Sequence, residues 1–247
     1  MREFLIFRLY GPIASWGDIA VGENRPTYDR PSKSALLGLV AAGLGIRRDE
    51  EERQRELATG YGMAVRIDKP GVLLRDYHTA QVPPSGKGRR KLHFQTRKEE
   101  LSVPKDDLNT VLSSRDYRCD ALYTVCLWSL TANPPYPLTK IKHQLEHPEF
   151  VLYLGRKSCP LSLPVQAQVL SAVNLYEALS SVHFSDHPFL RQLVPDSSVR
   201  VFWEGDEASG FEKELTVIRR DDPFSRKRWQ FANRQEHYAM VERSSGG

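Results

Sequence analysis

Three groups of residues in this 247-residue chain have types and spacings that could do chemistry. The first is His143-Gln-Leu-Glu-His147, which fits the H-x-x-E-H pattern of a zinc hydrolase. Histidines at i and i+4 share one helical face, as two imidazoles must to hold one metal ion. Three fixed positions are a weak signature, and Pro148 stops the helix at once, so two solvent-facing histidines and no metal are expected. The second group is Lys33, Tyr77 and His78. A metal-independent ribonuclease needs a base for the 2′-hydroxyl and an acid for the leaving oxygen, and these types can supply both. As strand neighbours, however, Tyr77 and His78 face opposite ways. Catalysis is therefore the alternative reading, with no catalytic residues assigned.

The third group is Tyr153-Leu-Gly-Arg-Lys-Ser-Cys-Pro160. It offers an aromatic ring, a glycine whose backbone can come close to a ligand, a planar guanidinium and a compact ammonium. Together they suit a sugar-phosphate chain with a base stacked alongside. A plain turn between strands fits the same residues.

Composition narrows the classes. The chain is 40% hydrophobic and 27% charged, ordinary for one large domain or two small ones. A net charge of +4 permits a polyanionic partner without requiring one. The distribution says more. Tyr77 to Lys98 holds no acid but carries Lys87, Arg89, Arg90, Lys91, Arg97 and Lys98, and a second basic block holds Arg219, Arg220, Arg226, Lys227, Arg228 and Arg234. The odd count and spacing of Cys119, Cys126 and Cys159 argue against a disulfide framework or zinc knuckle. No signal peptide or membrane-length apolar run is read, so a cytoplasmic protein is expected. No Rossmann, P-loop or GxSxG motif is present, and no cofactor is expected.

The elements that must position these residues follow in order. Glu3 to Tyr10 predicts a strand, and Ala35 to Ile46 a helix entered through Pro31-Ser-Lys-Ser34, whose free N–H groups, hydroxyls and Lys33 make a ready anion site. Trp16, in the loop between them, reads as a lid on the core. Tyr61–Ile67 and Val72–Val82 predict strands, the second displaying Arg75, Tyr77 and Thr79 on one face. Residues 83–114 read as a basic, poorly structured protruding arm. Ala121–Leu130 predicts a strand, Leu138–His147 a helix with Leu138, Ile141 and Leu145 inward, and Phe150–Leu154 a last strand. The expected fold is α+β, a ferredoxin-like (RRM-like) βαββαβ domain over residues 1–164 with the arm inserted. Residues 165–247 are expected to form a small β-leaning region with strands near Ser198–Trp203, Glu212–Ile218 and His237–Val241.

Several blocks then occur in one order: Gly11-Pro-Ile-Ala-Ser-Trp-Gly17, Arg25-Pro-Thr27, Pro31-Ser-Lys-Ser-Ala-Leu-Leu-Gly38, Leu74-Arg-Asp-Tyr-His-Thr79 and Tyr153 to Leu161. Arg115-Asp-Tyr-Arg-Cys-Asp120 and Gln230-Phe-Ala-Asn-Arg234 follow the same pattern. The chain resembles the Cas-five family of CRISPR-associated proteins, in the form found in the type I-E surveillance complex Cascade. The resemblance implies a repeat-associated RNA-binding protein with a thumb, which holds the 5′ handle of the CRISPR RNA (crRNA). It implies contacts with the backbone subunit CasC and the large subunit CasA, and indirectly with target DNA. It implies RNA cutting by another subunit, CasE, although a related subunit elsewhere is itself the nuclease. Carried over by position, the implied RNA-facing residues are Arg25, Lys33, Ser34, Arg75, Tyr77, His78, Arg115, Tyr153, Gly155 and Arg156. The family often has Arg where this chain has Lys33, which keeps the charge but not bidentate phosphate contact.

Overall fold

The computed structural model describes residues 1–84, 93–182, 184, 188–193, 198–205 and 209–242. In chain order the strands and helices are β1 (Arg2–Tyr10), β2 (Ile13–Ala14), β3 (Trp16–Gly17), β4 (Asn24–Arg25), β5 (Thr27–Tyr28), α1 (Lys33–Gly43), α2 (Glu51–Gly60), β6 (Tyr61–Lys69) and β7 (Val72–Val82). Next come α3 (Arg97–Glu100), β8 (Asn109–Cys119), β9 (Leu122–Ser129), α4 (Leu138–Glu146) and β10 (Gln168–Ala172). The chain continues with α5 (Leu175–Ser180), α6 (Pro188–Leu193), β11 (Val199–Trp203), β12 (Leu215–Ser225) and β13 (Gln230–Val241). No helix among the described residues is long and apolar enough to cross a membrane.

The central sheet runs β10-β1-β9-β6-β11-β13-β12, with every neighbouring pair antiparallel. Its middle strands are largely apolar on both faces because both faces are covered, and among the exceptions Arg66, Asp68 and Thr124 are hydrogen-bonded to one another. Leu5, Phe7 and Leu9 of β1 pack with Tyr123, Val125 and Leu127 of β9 under α1 and α4. The alternate residues Phe4, Ile6, Cys126 and Trp128 pack on the other face with Leu175, Ala178 and Leu179 of α5. Period-two alternation thus serves two cores. Each fully buried Leu or Phe stabilises by roughly 1.5–3 kcal/mol, and Phe7→Ala would cost about 3–5 kcal/mol.

The fourth strand of the first unit is not the expected one. Phe150–Leu154 makes only an isolated bridge, Tyr153 to Pro160. The strand beside β1 is β10 instead, with Arg2 opposite Ala172. Leu152 and Leu154 are buried as single anchors of a loop, which is why the apolar run resembled a strand. The C-terminal strands likewise form no separate sheet. They extend the central one, β11 pairing with β6 on one side and β13 on the other.

The expected arm is ordered over much of its length. β7 and β8 pair without a shift from Val72 opposite Cys119 to Val82 opposite Asn109. Residues 109–114, expected to be loose, are therefore strand. The hairpin stands outside the central sheet, joined to β2 and, in parallel, to β4. The basic residues Lys87, Arg89, Arg90 and Lys91 lie outside the described residues.

β12 and β13 run much longer than their apolar patterns indicate, because charged side chains carry the buried face. Arg219, Asp221, Arg234 and Glu236 are all buried. Arg234 donates to Asp221 at 2.6 and 3.0 Å and to Glu236 at 2.7 Å. Arg219 reaches Glu236 at 3.3 Å, and Arg30 also donates to Glu236. Buried charges survive only when paired and hydrogen-bonded. Burial alone would raise the carboxyls of Asp221 and Glu236. The guanidiniums outweigh it and hold both below their ordinary values, Arg234 at Asp221, and Arg30 with Arg234 at Glu236.

Candidate nucleic-acid interface

A groove of about 1000 Å³ opens beside α1. Four elements wall it: the loop of Gly17, Asp18, Ala20 and Arg25; the first turns of α1; Tyr153 and Gly155; and the β12–β13 turn with Arg226, Trp229 and Phe231. Ser32 caps α1, its hydroxyl accepting from Ala35 N–H at 3.2 Å. Four of the ten residues expected to face RNA line this groove: Arg25, Ser34, Tyr153 and Gly155.

Gly155 is required by the chain's own packing. Its φ is +84°, and a Cβ would stand 1.9 Å from the Ser15 carbonyl oxygen. Ser15 is itself fixed. Its N–H donates to Leu154 O at 3.0 Å and its hydroxyl to Asp116 O at 3.0 Å. The loop closes through Leu154 N–H to Cys159 O at 2.7 Å and Cys159 N–H to Arg156 O at 2.8 Å. Both Leu154 and Cys159 are fully buried. The segment is a turn pinned to the core, and the pinning presents Tyr153 and Arg156 at the surface.

Arg156 lies beside the groove. Its guanidinium sits 4.7 Å over the Tyr117 ring and donates to Arg25 O at 3.2 Å. Arg115 is opposite Arg25 in the parallel β4–β8 register. Arg75 forms a fork with Asp116 at 2.8 and 3.1 Å while its side chain remains 65% exposed. Arg75's hydrogen bond, with charge from Arg156 and Arg118, holds the Asp116 carboxyl below its ordinary value. Asp116 thus fixes the Arg75 guanidinium, with Arg156 and Arg118 close enough to act on its charge. Tyr77 is exposed on β7, and His78 is exposed with Nδ1 3.8 Å from Asp76.

Lys33 departs from the expectation. It is buried, with its ammonium 3.1 Å from Glu204 and 3.2 Å from Asp222. Its backbone N–H donates to Asp221 at 2.9 Å. One of the N–H groups at the start of α1, expected to face an anion, thus donates to the chain's own carboxylate. The N–H groups at a helix start need acceptors, and Asp221 on the long β12 strand supplies one. Lys33 is therefore a clamp between α1 and the C-terminal strands. It does not join Tyr77 and His78, which stand on opposite faces of the hairpin.

His143 and His147 are exposed at the end of α4, their rings stacked 4.7 Å apart. Among the described residues, no three His, Cys, Asp or Glu gather to hold a metal ion. Trp16 is buried edge-on to Tyr123 at 5.6 Å, a core residue.

The residues that sequence reasoning missed are on the β12–β13 turn. Arg226 was legible only as part of a basic block and Phe231 only within the block Gln230–Arg234, while Trp229 carried no signal. Their convergence depends on strands whose charged sequences concealed them.

A family model described as CRISPR-associated protein (Cas_Cas5) matches residues 4–236. The chain is 31% identical over 243 residues to the CRISPR system Cascade subunit CasD of Escherichia coli (strain K12), covering 95% of each. It superposes with a TM-score of 0.63 and 25% identity on a chain from a structure described as a Cas protein, covering 97% of this chain and 95% of that one. A chain from a CRISPR RNA-guided surveillance complex matches in fold with a TM-score of 0.64 at 23% identity, over 96% of this chain and 89% of that one. With the match spanning nearly its whole length, this chain belongs to the Cas5 family of CRISPR-associated proteins.

Proposed function

We propose that this protein is a non-catalytic RNA-binding subunit of a type I-E Cascade surveillance complex, holding the 5′ handle of the crRNA. The observation that carries this reading is the groove. Arg25, Arg226, Tyr153 and Trp229 converge on one open channel beside α1, and guanidiniums with aromatic faces are what an unpaired sugar-phosphate chain needs. Arg75, Arg115 and Arg156 extend the basic surface onto the hairpin, whose exposed Tyr77 would follow the same strand. The hairpin is the thumb in this reading, reaching a backbone subunit of the CasC type, with a large subunit of the CasA type docking nearby and target DNA beyond. The order β10-β1-β9-β6 with α1 and α4 on one face is read as a ferredoxin-like βαββαβ unit. The protein would work in the cytoplasm, without metal or cofactor.

Affinity purification tests this. The expected result is recovery of a short RNA with one fixed 5′ end, together with other subunits, from cells carrying the full CRISPR locus. Recovery without RNA, or RNA with scattered 5′ ends, would contradict the proposal. Incubating the chain with repeat RNA in EDTA separates binder from nuclease. Bound, intact RNA is expected, and a cleaved product would establish the ribonuclease instead.

A further inference from the structure

The β12–β13 turn carries a cation that the fold itself does not neutralise. Arg226 is sunk beside α1, where a Cβ on Gly38 would meet its two terminal nitrogens at 3.0 Å. Glycine at position 38 is what lets the guanidinium lie there. Nη2 donates to the Ser34 carbonyl, while Nε is buried without a partner. Among the described residues no carboxylate forms an ion pair with it. Burial first, and then repulsion from Arg48, pull its pKa down to about 10. A desolvated cation costs free energy unless an anion comes to it.

The neighbours complete a site. Arg48 Nε donates to Arg226 O at 2.8 Å, and its guanidinium lies 3.9 Å over the Trp229 ring. Trp229 holds φ +52°, which turns the chain there, and its ring is 5.9 Å from Phe231 at a 30° tilt. Trp229 is 59% exposed, whereas Trp16, Trp128 and Trp203 are buried. Arg48 covers part of the Trp229 ring, and the rest of this exposed indole borders the groove beside Arg226, where a base can stack on it.

We infer that the β12–β13 turn is a nucleotide subsite, with a backbone phosphate held by Arg226 and Arg48 and one unpaired base stacked on Trp229 beside Phe231. The inference rests on the RNA-binding reading and deepens it. The turn would seat one defined nucleotide of the bound strand, with Arg226, Trp229 and Phe231 of the turn region meeting Arg48 from the loop after α1. Stacking on an indole is tolerant of base identity, so the subsite fixes position rather than sequence.

The test uses fluorescein-labelled repeat-derived RNA and the full chain. Anisotropy reads total affinity, and tryptophan fluorescence reads the subsite, since Trp229 is the exposed indole. Wild type is expected to bind with quenching of that emission. Trp229→Ala should lose the quenching and weaken binding by about tenfold, within the range of one base stack. A scan of abasic substitutions should find one position whose loss weakens wild type but not Trp229→Ala. Arg226→Met should weaken binding and lower the salt slope by about one counterion. Arg48→Gln, on the exposed rim, gives the same phosphate readout if Arg226→Met fails to fold. Tight RNA binding with unquenched tryptophan, and with Trp229→Ala at wild-type affinity, would overturn the subsite and leave the RNA-binding reading standing. Failure of wild type to bind the RNA would remove both.

Discussion

Replacing Gly155 by Ala tests whether the Tyr153–Pro160 loop is held by the chain's own backbone. The added Cβ would lie 1.9 Å from the Ser15 carbonyl oxygen and 2.8 Å from its carbon. Ser15 cannot retreat cheaply. Movement would break its hydrogen bonds to Leu154 and Asp116 and disturb the neighbouring buried Trp16. The left-handed backbone, φ +84°, adds a penalty of about 1–2 kcal/mol for any Cβ. Overpacking against fixed atoms adds about 1–3 kcal/mol. A total near 3–4 kcal/mol corresponds to a fall in Tm of roughly 10 °C for a chain of this size. Gly17→Ala is the control, since a Cβ there meets nothing within 4 Å. It should stay within about 0.5 kcal/mol of wild type. The assay is thermal unfolding followed by circular dichroism. Equal Tm values for the two variants would refute the claim that the loop is pinned through Gly155. At temperatures where Gly155→Ala is folded, it should also bind RNA more weakly, because Tyr153 and Arg156 ride on the displaced loop.

Three other perturbations follow from the charged clusters. Lys33→Met leaves Glu204 and Asp222 without their ammonium and should cost about 3 kcal/mol at pH 8. Burial, outweighing Lys33 and Arg234, already raises the Glu204 carboxyl, and it would rise further in the variant. A raised folded-state pKa contributes stability at low pH that is lost as pH rises through it, so the defect should shrink at pH 5 in denaturant titrations. Asp221 and Glu236 have the opposite sign. Their folded values lie below the ordinary 3.8 and 4.5, so the stability they give is full above about pH 5 and drains as pH falls through and below 4. Acid unfolding should therefore begin near pH 4, and Asp221→Asn should flatten the acid limb. Arg156→Ala should weaken RNA binding and reduce its salt slope by about one counterion, measured by anisotropy across a salt series. An unchanged slope would remove Arg156 from the phosphate contacts.

The parts of the fold legible in sequence are those where burial is apolar. β1, α1, β6, β9 and α4 follow from their hydrophobic runs and from Leu138, Ile141 and Leu145 at helical spacing. The illegible parts are those where polar residues do the packing. β12 and β13 bury Arg219, Asp221, Arg234 and Glu236 as mutual partners, and no hydropathy pattern announces that. β8 looked like loop because its outer half is exposed and pairs only with β7. Phe150–Leu154 looked like strand because Leu152 and Leu154 are buried, yet each anchors an irregular loop. The site divides the same way. Of the residues that line the groove, Arg25, Ser34, Tyr153 and Gly155 were named from local chemistry and ordered blocks. Lys33 was misplaced because a cation at a helix start reads as a ligand until its carboxylates arrive from 171 and 189 residues further along the chain, at Glu204 and Asp222. That same network helps hold against α1 the C-terminal strands whose connecting turn carries Arg226 and Trp229.

The most direct measurement is photo-crosslinking of the full chain to repeat-derived RNA carrying 4-thiouridine, with adducts mapped by mass spectrometry. Adducts are expected on the groove aromatics, Tyr153, Trp229 and Phe231, and are lost in the presence of excess unlabelled repeat RNA. Adducts confined to the opposite face of the sheet, around α5, or no adduct under conditions where the RNA is bound, would contradict it.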